Sequence, residues 1–175
     1  YYNRTSGECY TWYNNKGDSC DFSSDSSTPG LTNSAKEMLG NAKWYLGSYT
    51  SNQATSDSFY QYEREISNNK ICVQGSDNCN DNVQRQNFWV GKVGLIYPSD
   101  YGYSANITSC KNVTLNLYSS SCKGTSWLYN SSYKQWTLNT YANTSNANTA
   151  FGIDPTGSLN GYRLINSYAV MPVVY

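Results

Sequence analysis

The strongest structural pattern in this 175-residue sequence is an apolar run that ends at a proline: Trp89-Val-Gly-Lys-Val-Gly-Leu-Ile-Tyr-Pro-Ser-Asp-Tyr-Gly-Tyr103. So dense an apolar run predicts two strands, at residues 88–90 and 93–97, interrupted by Gly91-Lys92. Pro98-Ser99-Asp100 ends the second strand, because proline has no backbone N–H to donate to a neighbouring strand.

Two helices are predicted upstream of this run. Residues 32–46 carry apolar side chains at steps of three and four, which marks one apolar helical face. These side chains are Ala35, Met38, Leu39, Ala42 and Leu46. Gly47 is suited to end this helix. A second, shorter helix is predicted to begin at Thr55 or Ser56.

The second half of the chain predicts mainly strands. The predicted strands cover residues 127–129, 136–138, 150–153, 158–164 and 168–175. Asp154-Pro-Thr-Gly157 is a turn signal, so the strands on either side of it form a hairpin. The polar residues 141–149 indicate a surface loop. Tryptophans in apolar runs are predicted to lie in the core: Trp44, Trp89, Trp127 and Trp136. The predicted fold class is α+β.

Six cysteines favour disulfide bonds and an oxidising compartment. Their spacing favours three local pairs, Cys9–Cys20, Cys72–Cys79 and Cys110–Cys122. A zinc site is the weaker alternative, since the chain has neither a Cys-x-x-Cys pair nor a histidine. Residues 1–30 are rich in turn signals and are predicted to be an irregular arm tied by the first pair, with a loose terminus as the alternative. Residues 104–126 are predicted to be a long disulfide-closed loop.

The composition favours recognition outside the cell. Eighteen residues are tyrosine and five are tryptophan, whereas only 14% are charged and the formal net charge is zero. Tyr and Trp give large, rigid contact areas, and Ser and Asn give adaptable hydrogen bonds. The absence of a basic patch argues against nucleic acid and against a polybasic membrane contact. No apolar run is long enough to span a bilayer, and we expect the chain to be a mature or trimmed fragment of an exported protein.

Few residues of this sequence suit catalysis. Without histidine, Ser-His-Asp and Cys-His arrangements are excluded. A pair of carboxylates could still cleave glycosides, but Asp100 and Asp154 lie in turns, where Asp more often bonds the local backbone. Glu63 and Glu65 flank Arg64 on a predicted helix and are expected to face solvent. We therefore predict a protein without enzymatic activity.

No cofactor or metal is predicted. The loop Asp77-Asn-Cys-Asn-Asp-Asn82 and the acids Asp18, Asp21 and Asp25 are rich in oxygen ligands, yet neither follows the alternating spacing of an EF-hand. Calcium remains the weaker alternative there, and a solvated loop is expected.

The run from Trp89 to Tyr103 belongs to a wider pattern. Cys110 and Cys122, Trp127-Leu-Tyr-Asn130, Trp136-Thr-Leu138 and Ala150-Phe-Gly-Ile153 follow it, and the chain ends Ala169-Val-Met-Pro-Val-Val-Tyr175. Over residues 40–175 this pattern resembles the exported globular domains of Gram-positive gut bacteria, which often follow a type IV pilin-like leader helix.

The resemblance implies a C-type-lectin-like fold with two N-terminal helices, a twisted antiparallel sheet and long disulfide-tied loops. It implies one extracellular domain over 1–175, with the lectin-like core at 31–175, displayed on a cell surface or pilus. In such folds the last strands and their loops form the ligand face. We therefore predict these ligand-binding residues: Tyr141, Asn143, Asn146, Asn148, Tyr162, Asn166 and Tyr168.

The expected function is non-enzymatic adhesion to a glycan or protein on a cell surface, because aromatic rings beside Asn amides can stack on sugars while the amides bond hydroxyl groups. Neighbouring pilin-like subunits are further candidate partners. The alternatives are the structural head of a filament subunit and an exported hydrolase. The tyrosines could also be ordinary surface residues.

Overall fold

The structure, a computed structural model, describes residues 2–3, 8–9, 33–47, 49–64, 88–118, 120–142, 149–166 and 168–174. The helices are α1 (Asn33–Met38), α2 (Ser56–Arg64), α3 (Pro98–Tyr103) and α4 (Ser120–Thr125). The strands are β1 (Tyr2–Asn3), β2 (Glu8–Cys9), β3 (Ala42–Tyr45), β4 (Phe88–Gly91), β5 (Val93–Leu95), β6 (Gln135–Thr140), β7 (Thr149–Ile153), β8 (Leu159–Arg163), β9 (Ala169–Val170) and β10 (Pro172–Val174).

The described part of the chain is mixed α and β, as the α+β prediction requires. The largest sheet has four strands in the order β8-β7-β6-β9, with antiparallel pairs except for β6 and β9, which run parallel. The other described strands form antiparallel pairs, β1 with β2, β3 with β4 and β5 with β10. The predicted irregular arm therefore contains two short strands where it is described.

The strands predicted on either side of Gly91-Lys92 are confirmed with shifted ends. They belong to different sheets, because β4 pairs with β3 whereas β5 pairs with β10. Pro98 ends the extended run as predicted, but it also opens a helix. Proline suits the first helical position because its missing N–H would have no partner there.

The first predicted helix is wrong beyond Met38. Helix α1 ends there, and β3 begins at Ala42. In β3, Trp44 lies opposite Trp89, is 1% exposed and donates its indole N–H to the Gly91 carbonyl at 2.9 Å. The burial and pairing of this tryptophan outweigh the weak helical periodicity, which Gly40 also interrupts. The second predicted helix is present as α2, which begins at Ser56.

Four other predictions need correction. Residues 127–129 form a turn rather than a strand, and Trp127 is 77% exposed rather than in the core. The predicted loop at 104–126 holds two 3₁₀ helices, Thr108–Asn112 and Leu115–Leu117, together with α4. The predicted last strand is split at Met171 into β9 and β10, which join different sheets.

The main core lies between the four-stranded sheet and helices α2 and α3. Phe59 of α2 meets Phe151 of β7 edge to face at a centroid distance of 5.2 Å, and Tyr101 of α3 is fully buried in the same cluster. The Tyr101 hydroxyl donates to the Gly157 carbonyl at 2.8 Å, so helix α3 holds the tip of the β7–β8 hairpin. The predicted hairpin around Asp154-Pro-Thr-Gly157 is confirmed.

A disulfide joins Cys110 and Cys122, as predicted, with an S–S distance of 2.08 Å. Both cysteines are buried in the main core. The predicted pairs Cys9–Cys20 and Cys72–Cys79 involve residues outside the described ranges. Within the described ranges, no helix is long and apolar enough to cross a membrane.

Candidate functional site

The two faces of the four-stranded sheet carry different sets of side chains. Successive side chains along a strand point to opposite faces. Phe151 and Ile153 of β7 lie in the main core, whereas Ala150 lies in a second cluster with Leu95 and Trp136. The face that carries this second cluster also carries half-buried rings, and it is the candidate site.

Four residues on this face form what we call the aromatic patch: Lys134, Trp136, Tyr162 and Tyr168. The Tyr162 and Tyr168 rings meet edge to face at 5.2 Å, and the Trp136 and Tyr168 rings lie 4.6 Å apart. The Lys134 ammonium lies 4.4 Å from the Tyr162 ring centre and 5.2 Å from that of Tyr168. Both distances suit cation–π attraction.

Gly152 leaves room for the Tyr162 ring to pack on the sheet. A Cβ atom at Gly152 would lie 3.0 Å from Cδ2 of Tyr162, so the ring passes directly over the bare backbone of β7. The Tyr162 hydroxyl then donates to Oδ2 of Asp154 at 3.2 Å. Burial raises the pKa of Tyr162 from 10.0 to about 12, so the hydroxyl stays a hydrogen-bond donor well above physiological pH.

Asp154 anchors the turn beside the patch, as predicted for an Asp in this position. Its Oδ1 accepts from the backbone N–H groups of Thr156 at 2.8 Å and Ser158 at 3.1 Å. Burial opposes ionisation, but the hydrogen bonds from Thr156 and Ser158 outweigh it, so the pKa of Asp154 is lowered. Asp154 is therefore a carboxylate whose oxygens are already occupied.

A row of amides continues from Asp154 along the edge strand β8. The Asn160 amide donates to Oδ2 of Asp154 at 3.4 Å, and the Asn52 amide donates to Oδ1 of Asn160 at 2.7 Å. The aromatic patch thus borders side chains that both donate and accept hydrogen bonds. This combination of ring faces and fixed amides suits recognition of a polar ligand that carries apolar faces.

The structure brings together only part of the predicted ligand-binding set. Tyr162 and Tyr168 share the aromatic patch, and Asn166 is exposed in the turn after β8. Tyr141 lies on the opposite face, 4.8 Å from the Phe151 ring and directly over Gly161. It therefore does not join the other two tyrosines. Asn143, Asn146 and Asn148 lie outside the described residues.

Lys134 and Trp136 were missing from the predicted set. Trp136 was predicted to be core, and it is 4% exposed, so that prediction is confirmed. Its buried indole N–H nevertheless has no hydrogen-bond acceptor in the structure. Lys134 lies two residues before Trp136, and the period of two in a strand could have placed both on one face.

The carboxylates suggested for a hydrolase are held by structural contacts. Glu63 is 1% exposed, so the prediction that it faces solvent is wrong. It accepts from the Ser99 backbone N–H at 2.9 Å and also from the Ser99 hydroxyl. Burial raises the pKa of Glu63 to about 8, even though the hydrogen bonds from Ser99 act in the opposite direction. Glu65 lies outside the described residues.

Asp100 is fixed by its own contacts. Its Oδ2 accepts from the Tyr97 backbone N–H at 3.1 Å, and its Oδ1 forms a 2.7 Å ion pair with Arg64. The Arg64 guanidinium also lies 4.4 Å from the Tyr97 ring centre and 4.7 Å from that of Tyr60. These contacts hold helix α2 against the start of helix α3.

Nothing among the described side chains forms a group of three or more metal-binding residues. The suggested calcium loops at 18–25 and 77–82 lie outside the described residues. Comparison of the chain with protein-family models, curated proteins and solved structures yields no match.

Proposed function

We propose that this chain is a non-enzymatic, extracellular recognition domain that binds a saccharide through the aromatic patch. The single observation that carries the proposal is the meeting of Tyr162, Tyr168 and Lys134 on one sheet face, beside an ordered row of Asp and Asn side chains. Ring faces attract the partly positive C–H groups of a sugar. Neighbouring amides can exchange hydrogen bonds with its hydroxyl groups.

The rigidity of the patch supports binding without a large entropic cost. The Tyr162 ring packs over Gly152, and its hydroxyl donates to Asp154. Tyr101 of the main core donates to the Gly157 carbonyl at the hairpin tip. A site that is already in place loses little side-chain freedom when a ligand binds. A protein partner that uses the same rings is the principal alternative occupant, because tyrosine is enriched in interface hot spots.

We further propose that the α+β fold is C-type-lectin-like and that the domain is displayed on a bacterial surface or pilus. The resemblance of residues 40–175 to exported domains of Gram-positive bacteria supports this assignment. The Cys110–Cys122 disulfide also supports it, since such bonds persist in oxidising surroundings. Localisation by antibody labelling of intact source cells tests the display.

A saccharide array probed with the folded chain tests the binding function. Tyr168→Ala is the informative variant, and Tyr133→Ala is the matched control because Tyr133 is 63% exposed and outside the patch. We expect the wild type and Tyr133→Ala to bind the same saccharides and Tyr168→Ala to lose them. Absence of binding to every saccharide would contradict the proposal. Equal binding by all three proteins would show that saccharides do not bind at the aromatic patch.

A second candidate function is that of a structural head in a filament, favoured by Trp127. A tryptophan that is 77% exposed is a large apolar surface in a chain with many polar side chains. Such residues are common at the centres of protein interfaces. Sedimentation over a range of concentrations, with Trp127→Ser as the comparison, tests it. Self-association of the wild type alone favours the filament subunit, and identical monomers disfavour it.

A further inference from the structure

We propose that the aromatic patch selects acidic saccharides, with a carboxylate or sulfate of the sugar pairing with the ammonium group of Lys134. This inference rests on the proposed function and narrows its ligand class. It depends on three features of the patch: a lysine without a carboxylate partner, a neighbouring carboxylate that is already occupied, and a buried donor without an acceptor.

The first feature is the position of Lys134. Its ammonium lies against the rings of Tyr162 and Tyr168, and it forms no ion pair with any carboxylate in the described part of the chain. An ammonium group carries three N–H donors and no acceptor. Contact with two rings leaves N–H groups available for an anion. A ligand that stacks beside Tyr168 would therefore meet a positive charge held in a half-buried position.

The second feature is the state of Asp154, the acidic side chain in the turn of the β7–β8 hairpin. Its Oδ1 already accepts from two backbone N–H groups and from the Thr156 hydroxyl at 2.5 Å. Its Oδ2 accepts from Tyr162 and Asn160. These donors satisfy the hydrogen-bonding capacity of both carboxylate oxygens. Lys134, by contrast, has no carboxylate partner among the described residues and can still take a counter-ion.

The third feature is the indole N–H of Trp136. It is buried without an acceptor, although buried N–H groups nearly always have one. The ring of Tyr168, 4.6 Å away, lies beside this indole. A ligand oxygen that reaches the edge of this indole beside Tyr168 would supply the missing acceptor. An acidic sugar has oxygens for both donors at once, the anionic group for Lys134 and a ring or hydroxyl oxygen for Trp136.

A second lysine in the chain provides a matched control. The Lys43 ammonium lies 4.2 Å from the Phe88 ring centre and 5.0 Å from that of Tyr45, so it makes the same type of contact on the β3–β4 pair. Its neighbour Trp44 donates its indole N–H to Gly91. Lys43 therefore shares the cation–π geometry of Lys134 without the unsatisfied tryptophan, and it should not affect saccharide selection.

The test compares two oligosaccharides of equal length that differ only at one residue, glucuronate in one and glucose in the other. A sulfated version of the neutral oligosaccharide distinguishes sulfate from carboxylate. Titration calorimetry should show that the wild type binds an acidic form tighter by about tenfold or more, an advantage that salt reduces. Lys134→Met keeps an apolar stem over the rings and should bind all forms alike. Lys134→Arg should restore the preference, and Lys43→Met should leave it unchanged.

The outcomes separate this inference from the proposed function. Equal affinity of the wild type for neutral and acidic forms overturns the acidic preference and leaves saccharide binding in place. A preference that survives in Lys134→Met overturns the role of Lys134. Failure of the wild type to bind any of these forms overturns the acidic preference, and the saccharide array decides separately whether the proposed function fails as well. Circular dichroism of each variant confirms that a lost preference does not come from a lost fold.

Discussion

The Glu63 carboxylate accepts a hydrogen bond from the Ser99 backbone N–H at 2.9 Å, so a side chain of α2 satisfies the first turn of α3. The first N–H groups of a helix have no partner within the helix, and an acceptor from elsewhere in the chain can satisfy them. Here the acceptor comes from another helix and is almost completely buried. The Tyr97-Pro-Ser-Asp100 segment therefore begins helix α3 and joins it to helix α2.

Burial of Glu63 predicts a stability that declines as the pH rises. The pKa of Glu63 is about 8 in the folded protein, against an ordinary value of 4.5. The folded state therefore favours the protonated side chain. Its contribution to stability is complete below the ordinary value and is lost as the pH rises through the folded value. Each unit of pKa difference corresponds to about 1.4 kcal/mol.

Urea denaturation of the wild type and Glu63→Gln across this pH range measures the effect. Glutamine has the shape of the protonated acid but does not ionise. We expect the variant to match the wild type under acidic conditions and to become the more stable protein under alkaline ones. Parallel pH profiles for the two proteins would show that Glu63 does not titrate in this range.

For Asp154 we predict the opposite pH dependence, a stability that declines as the pH falls. Its pKa is lowered in the folded protein, so its contribution is present above the ordinary value of 3.8 and is lost as the pH falls through the lower folded value. Asp154→Ala removes the acceptor of several donors and should cost roughly 1–3 kcal/mol at neutral pH. Asp57→Ala is the control, because Asp57 is exposed and bonds only the Tyr103 hydroxyl among the described contacts. A loss no larger for Asp154→Ala than for the control would argue against this role.

Two glycines are predicted to be needed because a tyrosine covers each. A Cβ atom at Gly161 would lie 1.8 Å from Cδ1 of Tyr141, and one at Gly152 would lie 3.0 Å from both Tyr162 and the Gln135 carbonyl. Gly161→Ala must displace the Tyr141 ring and should destabilise by roughly 1–3 kcal/mol, with a smaller loss for Gly152→Ala.

Gly124 of α4 provides the control for these substitutions. Nothing lies within 4 Å of a Cβ atom there, so Gly124→Ala should be neutral or stabilising by about 0.5–1 kcal/mol. Thermal unfolding of the three variants ranks them. A Gly161→Ala protein as stable as Gly124→Ala would show that Tyr141 does not lie over that glycine.

The Cys110–Cys122 disulfide closes a short segment, since its cysteines are separated by 12 positions. Replacement of both by alanine should reduce the free energy of unfolding by about 3 kcal/mol. Peptide mapping without reduction should recover the two cysteines in one linked fragment. Recovery of either one as an alkylated thiol from the untreated protein would contradict the bond.

Local signals in the sequence predicted those parts of the fold that local chemistry determines. The Asp154-Pro-Thr-Gly157 turn carries its own hydrogen-bond acceptor, and Ser56 begins a helix with Phe59 on its buried side. The Cys110–Cys122 pair followed from spacing. Tyr162 and Tyr168 were both predicted to bind the ligand, and their contact with each other depends on the pairing of strands in the sheet.

The errors arose where distant contacts decide the structure. Trp44 is in a strand because residues near position 90 pair with it, and no signal near residue 44 reports that pairing. Glu63 looks solvated in the sequence because its partner Ser99 is 36 positions away. The sequence also gives no sign that Tyr141 and Tyr162 lie on opposite faces of the sheet, because that placement depends on strand pairing.

The most direct test of saccharide binding by the aromatic patch is an NMR titration of the labelled wild-type chain with the tightest saccharide from the array. The Trp136 indole N–H gives a separate signal, because the chain has only five tryptophans. We predict that this signal shifts together with those of Lys134, Tyr162 and Tyr168, while the Trp127 signal stays in place. Shifts centred on Trp127 and Tyr133, with the Trp136 signal unchanged, would place the ligand elsewhere and contradict the account.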